Sequence, residues 1–117
     1  MKYMLLIYME DDAMTAPERE QCYLDSTRLA QELHASGAFI SANPLQAVDK
    51  AKSVRVRQGK TAVTDGPFAE TREHLGGYFL IEAKDLQAAL AVAAKIPGAA
   101  KGTVEVRPVY ELEGLPG

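Results

Sequence analysis

Two short runs constrain this chain more than anything else in it. Tyr3 to Met9 (YMLLIYM) and Gly77 to Ala83 (GYFLIEA) are apolar at nearly every position. A strand with one face in water alternates apolar and polar residues, so a run that is apolar at both parities belongs to a strand covered on both faces. Both runs are therefore expected near the middle of a sheet.

Each run is followed by the same series of signals. After the first, Thr15-Ala16-Pro17-Glu18 matches a capping box and predicts a helix. Cys22, Ser26, Leu29, Ala30 and Leu33 give that helix a modest apolar or small face, and Gly37 stands where it can end. Phe39 to Ala42 reads as the next strand, closed by Asn43-Pro44. After the second run, Asp85 is a suitable N-cap, Leu86, Ala89, Leu90 and Ala93 share a helical face, and Pro97-Gly98 stops the helix. Thr103 to Tyr110 is the last strand, with Val104, Val106 and Tyr110 on one side and Glu105 and Arg107 on the other.

Between the two units, Ser53 to Arg57 alternates valine with arginine and turns at Gln58-Gly59-Lys60 into a partner strand, Thr61 to Thr64. The expected fold is α+β: a ferredoxin-like split βαβ repeat with an extra β-hairpin, in a single domain over residues 1–117. Two helices cover only one face of such a sheet, yet its central strands are apolar on both. The economical cover for the second face is the same face of another copy, which predicts a homodimer through the open sheet face.

Charge and cysteine content narrow the partners. A formal net charge of −3 is unsuited to general polyanion binding. Lys50, Lys52, Arg55, Arg57 and Lys60 cluster on and before the hairpin, but without interleaved aromatics, so they read as a solvated edge and nucleic acid is not expected. Cys22 is the single cysteine, so no internal disulfide is possible; it reads as a small core residue. The apolar N-terminal run is too short for a signal peptide and ends in acids, and no run approaches the roughly 20 apolar residues of a membrane span. The expectation is a cytoplasmic protein with no membrane partner.

The richest segment chemically is DGPFAETRE, residues 65–73. Asp65-Gly66-Pro67 is a sound turn in which Asp65 acts either as a cap or as a functional carboxylate. Phe68 reads as an anchor for the loop, and Glu70, Arg72 and Glu73 follow with no apolar residue between them, as in loops whose side chains meet ligands. In a helical turn over 69–74, Glu70 and His74 would share a face at i and i+4, enough for a carboxylate to orient an imidazole but too few ligands for a metal site. Glu105 and Arg107 should point to the dimer side of the sheet, as an ion pair or as ligand contacts, with the Tyr8 phenol near the same space. No phosphate-binding glycine loop, nucleophile elbow or thiolate–histidine pair is present, and no cofactor is expected.

DGPFAETRE, followed by Gly76-Gly77-Tyr78 leading into a strand, resembles the DGPF-type proteins of the YCII-related family. The hairpin VRVRQGKTAVTDGPF, the helix end AAKIPGA and the closing GTVEVRPV match as well, so the resemblance covers essentially the whole chain. It implies a dimeric α/β-barrel fold. Some family members carry labels tied to sigma-factor-dependent transcription. Others resemble enzymes with a His in the first helix and an Asp, in an Asp-Pro pair after the second helix, forming an acid–base pair in a cleft. Here the histidine of the first helix is His34, near its C-terminal end, and the second helix runs into Ile96-Pro97, so that dyad does not carry over.

The expected function is a homodimer that binds a small polar or anionic metabolite in a cleft. Arg72 and Arg107 would hold anionic groups, with Tyr8, Phe68, Glu73 and Glu105 as further contacts. Asp65, Glu70 or His74 would transfer protons in lyase- or isomerase-like chemistry. The alternative is a non-enzymatic accessory or sensor protein in a sigma-factor system.

Overall fold

The computed structural model of the chain describes residues 1–69 and 71–117. Its elements follow the order β1 (Lys2–Met9), α1 (Ala16–Ala35), β2 (Phe39–Pro44), β3 (Lys52–Arg57), β4 (Lys60–Asp65), β5 (His74–Glu82), α2 (Leu86–Ala93) and β6 (Thr103–Pro108). Four strands form one sheet in the order β2-β5-β1-β6, with every neighbouring pair antiparallel. The two expected central strands, β1 and β5, are the inner ones. Two helices on such a sheet form an α+β arrangement consistent with the ferredoxin-like split βαβ repeat.

The helix-side face of the sheet carries the core. Tyr3 and Leu5 of β1 and Phe79 and Ile81 of β5 are buried against Leu29 and Leu33 of α1, Ala89 and Ala93 of α2, and Ile96. Removing side chains such as Leu5 and Ile81 from water is worth about 1.5–3 kcal/mol each. Val104 and Val106 of β6 pack against the same cluster. The intervening residues Met4, Leu6 and Tyr8 of β1, Tyr78 and Leu80 of β5, and Glu105 and Arg107 of β6 face the other way, as successive residues of a strand must. That second face is apolar along its centre and polar at both edges.

The caps behave as the residues dictate. Thr15 Oγ1 accepts from the Glu18 N–H at 3.3 Å while the Thr15 N–H donates to the Glu18 carboxylate at 2.9 Å, a complete capping box. The Ala88 N–H donates to Asp85 Oδ1 at 2.9 Å at the start of α2. Gln58 and Gly59 both have positive φ, 52° and 75°, as a two-residue hairpin turn requires.

Two local features differ from expectation, and the expected extra hairpin stands apart from the main sheet. In α2 the close approach to the sheet is made by Ala89 and Ala93, with Leu86 and Leu90 exposed at the flank, because a small residue allows the shortest helix–sheet distance. Strand β6 ends at Pro108, which has no N–H to donate to a ladder, and Tyr110 lies beyond it, exposed. Among the described residues, β3 and β4 pair only with each other and form a separate two-stranded arm.

Candidate functional site

A cleft of about 660 Å³ opens on the helix side of the sheet, between α1 and the ends of β1, β2 and β5. It exists because the inward stripe of α1 changes character along its length. Leu29 and Leu33 in the second half reach the sheet and are buried. Cys22 and Ser26, earlier on the same stripe, are too short to do so, and the space they leave, bordered by Ala30, is cleft. Ile7, Phe39, Ala42, Phe79 and Ile96 supply an apolar interior, while Glu10, Asp11, Arg19, Asp49 and His74 place charge and hydrogen-bonding groups on its wall. A pocket of this size, apolar with few polar groups, is of the kind that takes small molecules.

His74 reaches this cleft through an irregularity in the sheet. Ile7 pairs with Gly77 but Tyr8 pairs with Leu75, so Gly76 is an extra residue on β5. Strict alternation back from Phe79 and Gly77 would turn Leu75 to the cleft and His74 away from it. One inserted residue reverses the parity, and His74, opposite Met9, joins the helix-side face. The side chain of His74 is only 18% exposed.

Asp11 meets it there. β1 ends at Met9 and the chain continues Glu10-Asp11, so these two acids emerge beside the first residue of antiparallel β5. His74 Nδ1 lies 2.8 Å from Asp11 Oδ1. An ionised carboxylate can only accept, so Nδ1 carries the proton, and in a neutral ring Nε2 is the basic nitrogen. Next to this pair, Arg72 Nη2 lies 2.9 Å from Glu10 Oε1 and ties the DGPF segment to the end of β1. Pro67 of that segment and His74 both line an adjoining recess of about 350 Å³, so the segment borders the site.

The other candidate residues fall elsewhere. Asp65, at the end of β4, is exposed and pairs with Lys52 across the arm. Phe68 is not a core anchor: it is 74% exposed, and the Arg55 guanidinium stands 4.9 Å from its ring centroid. The carbonyl of Glu73 accepts from the Thr71 hydroxyl at 2.6 Å. No described residue of 69–73 is helical and His74 begins a strand; Glu70, and with it the expected i, i+4 arrangement, lies outside the described residues. Tyr8, Glu105 and Arg107 share the open face of the sheet, across from the cleft. Among the described residues no group of three or more His, Cys, Asp or Glu is placed to hold a metal ion.

Asp11 and Arg19 in the cleft escape the sequence reading, as does Tyr78 on the open face behind it, while Cys22 reads there as a small core residue. Asp11 and Arg19 are separated from His74 along the chain and carry no local pattern; the MEDD ending of β1, read together with the β1/β5 register, is the signal that points to Asp11. Cys22 is half-buried on the cleft wall, and burial pushes its thiol pKa up, which keeps it protonated and a poor nucleophile. Hydrogen bonds from Ser41 and then Asn43 hold the Tyr78 phenol below its ordinary pKa, with Asn43 Nδ2 at 3.0 Å from the phenol oxygen.

The chain is similar to known proteins over nearly all its length. It is 32% identical over 114 residues to the uncharacterized protein R00369 of Rhizobium meliloti (strain 1021), an alignment covering 93% of this chain and 92% of the relative. Residues 1–113 match the YCII-related domain, and the chain therefore belongs to the YCII-related family.

Proposed function

We propose that this protein is a homodimer that binds a small metabolite in the cleft between α1 and the sheet and moves a proton on it with His74. The observation that carries this reading is the His74–Asp11 pair: a largely buried imidazole whose Nδ1 is held by a carboxylate and whose Nε2 is the remaining basic atom. Asp11 sets the tautomer and would stabilise the imidazolium formed when Nε2 takes a proton. Lyase- or isomerase-like proton transfer needs a group of this kind and no redox cofactor. The apolar interior selects a ligand with an apolar body, and Arg19 and Arg72 near the charged wall suit a single anionic or polar group on it.

The dimer rests on the apolar centre of the open sheet face, where Met4, Leu6, Tyr78 and Leu80 lie side by side. A second reading, a sensor that binds the same ligand without turnover, is favoured by the departure from the family's acid–base dyad: Ile96, where the Asp is expected, is a buried core residue.

Native against denaturing mass spectrometry of gently purified protein tests both. A dimer that releases a reproducible small-molecule mass identifies the ligand. Turnover of that ligand, lost in His74→Gln with binding retained, establishes the enzyme; binding without turnover establishes the sensor. An empty monomer whose cleft takes up no small molecule in a metabolite screen defeats the proposal.

A further inference from the structure

Two exposed segments of this chain complement each other but lie too far apart to meet within one molecule. The first is the β3–β4 arm. Val54 and Val63 pair across it, with Val56 beside them on the same face, and all three are about 58–63% exposed. Arg55 and Arg57 alternate with the valines along β3, whose outer edge has no strand partner among the described residues. A two-stranded hairpin by itself is marginally stable in water, and an apolar face with an open edge calls for a covering strand.

The second segment follows β6. Tyr110, Glu111, Leu112 and Glu113 repeat the period of a strand, apolar then acidic, yet they pair with no strand among the described residues; Tyr110 is 86% and Leu112 60% exposed. Glu111 has one exposed ion pair, to Lys2 at 3.7 Å. The apolar residues of this tail match the valines of β3, and its acids match Arg55 and Arg57, in the same alternation.

The two segments occupy opposite ends of the sheet. The tail leaves beside Lys2, whose carbonyl accepts from the Val109 N–H at 2.9 Å, at the end where Lys2 pairs with Glu82. The arm grows from the other end, after Pro44 and before His74, where Met9 pairs with His74. The 8 residues of β1 separate them by about 23 Å. A second copy stacked on the open sheet face, with its strands running the opposite way, brings its tail to this end.

We propose that residues 110–113 of one copy lie along β3 of the other, twice in a two-fold dimer, with Tyr110 and Leu112 on the valines and Glu111 and Glu113 beside Arg55 and Arg57. This goes beyond the dimer of the proposed function, on which it rests, by selecting how the two sheets are oriented and what covers the arm.

Charge reversal tests it. Arg55→Glu with Arg57→Glu, and separately Glu111→Arg with Glu113→Arg, each place like charges at both contacts of a homodimer. Sedimentation should show each variant dissociating at least about tenfold more readily than the wild type. Mixing the two should restore a tight heterodimer, since both of its contacts then pair opposite charges. Lys2→Met, which removes only the Glu111 ion pair, should leave the dimer intact. Variants that dimerise as tightly as the wild type, or fail to recover on mixing, overturn the arm–tail contact while leaving the dimer standing. A monomeric wild type overturns the dimer itself. If a reversal variant fails to fold, a Cys22→Ala background carrying Val56→Cys in one chain and Leu112→Cys in another decides the question: an inter-chain disulfide supports the contact, and its absence under oxidation refutes it.

Discussion

His74 Nδ1 and Asp11 Oδ1 stand 2.8 Å apart although 63 residues separate them in the chain. The antiparallel pairing of β1 and β5 brings their backbones together, and the Gly76 bulge turns the imidazole to the cleft side. Asp11→Asn should leave the fold intact and remove the preference for Nδ1–H, because an amide can donate as well as accept. Long-range proton–nitrogen NMR of the imidazole checks this: a shift toward the other tautomer is expected, and an unchanged spectrum removes Asp11 from its positioning role. On the proposed proton-transfer reading, turnover of the bound ligand should fall about 10²–10⁴-fold in His74→Gln.

The open sheet face makes its own prediction. Leu80 lies in a row with Ser41, Met4 and Arg107, and Leu6 in a row with Asn43, Tyr78 and Glu105. Leu80→Arg or Leu6→Glu puts a charge at the apolar centre of each row, which a stacked dimer cannot solvate. On the proposed dimer, either variant should abolish the self-association expected of the wild type in sedimentation, while thermal unfolding remains cooperative.

The N-terminus of α1 supplies a stability test with a defined pH window. The Glu18 carboxyl is held at about 2, below its ordinary 4.5, first by the Thr15 backbone N–H and next by hydrogen bonding with Lys101. A depressed folded-state pKa contributes stability that is present above about 4.5 and lost as pH falls toward 2. Lys101→Met should raise the Glu18 pKa in an NMR titration and move this loss to higher pH. Thr15→Ala removes the other half of the capping box and should cost about 1 kcal/mol in urea denaturation at neutral pH.

Tyr78 offers a spectroscopic check on the open face. Ser41 and Asn43 both stabilise its phenolate, so it should ionise below the ordinary tyrosine value in an ultraviolet pH titration. Ser41→Ala and Asn43→Ala should each move that transition upward.

A methyl group at Gly102 would collide with the carbonyl oxygen of Tyr8 and sit 2.8 Å from Met9 Cβ. Backbone cannot yield as a flexible side chain can, so Gly102→Ala should destabilise the fold by about 1–3 kcal/mol in urea denaturation. Gly59→Ala, with open space around its Cβ but a φ of 75°, should act through turn strain and loosen the arm alone.

Element identity and order were determined by the sequence itself, because each rests on local chemistry. The doubly apolar runs of β1 and β5, the Thr15–Glu18 box, the Asp85 cap and the Gln58-Gly59 turn act within a few residues of their own positions. The split repeat could be read from their order, and the outward parity of Glu105 and Arg107 from simple alternation. Only the tertiary structure decided the site. A single inserted residue at Gly76 reverses which side chain faces the helices; the Gly76-Gly77 pair permits a bulge, but only the pairing with β1 shows which residue is the extra one. Asp11 meets His74 only through the register of strands distant in the chain. The cleft arises from the difference in length between Cys22 and Ser26 and the leucines further along α1, which becomes a volume only once the helix is laid on the sheet. Sequence carries local preferences at full strength; convergence of groups from separate strands depends on register and packing, which are properties of the folded chain as a whole.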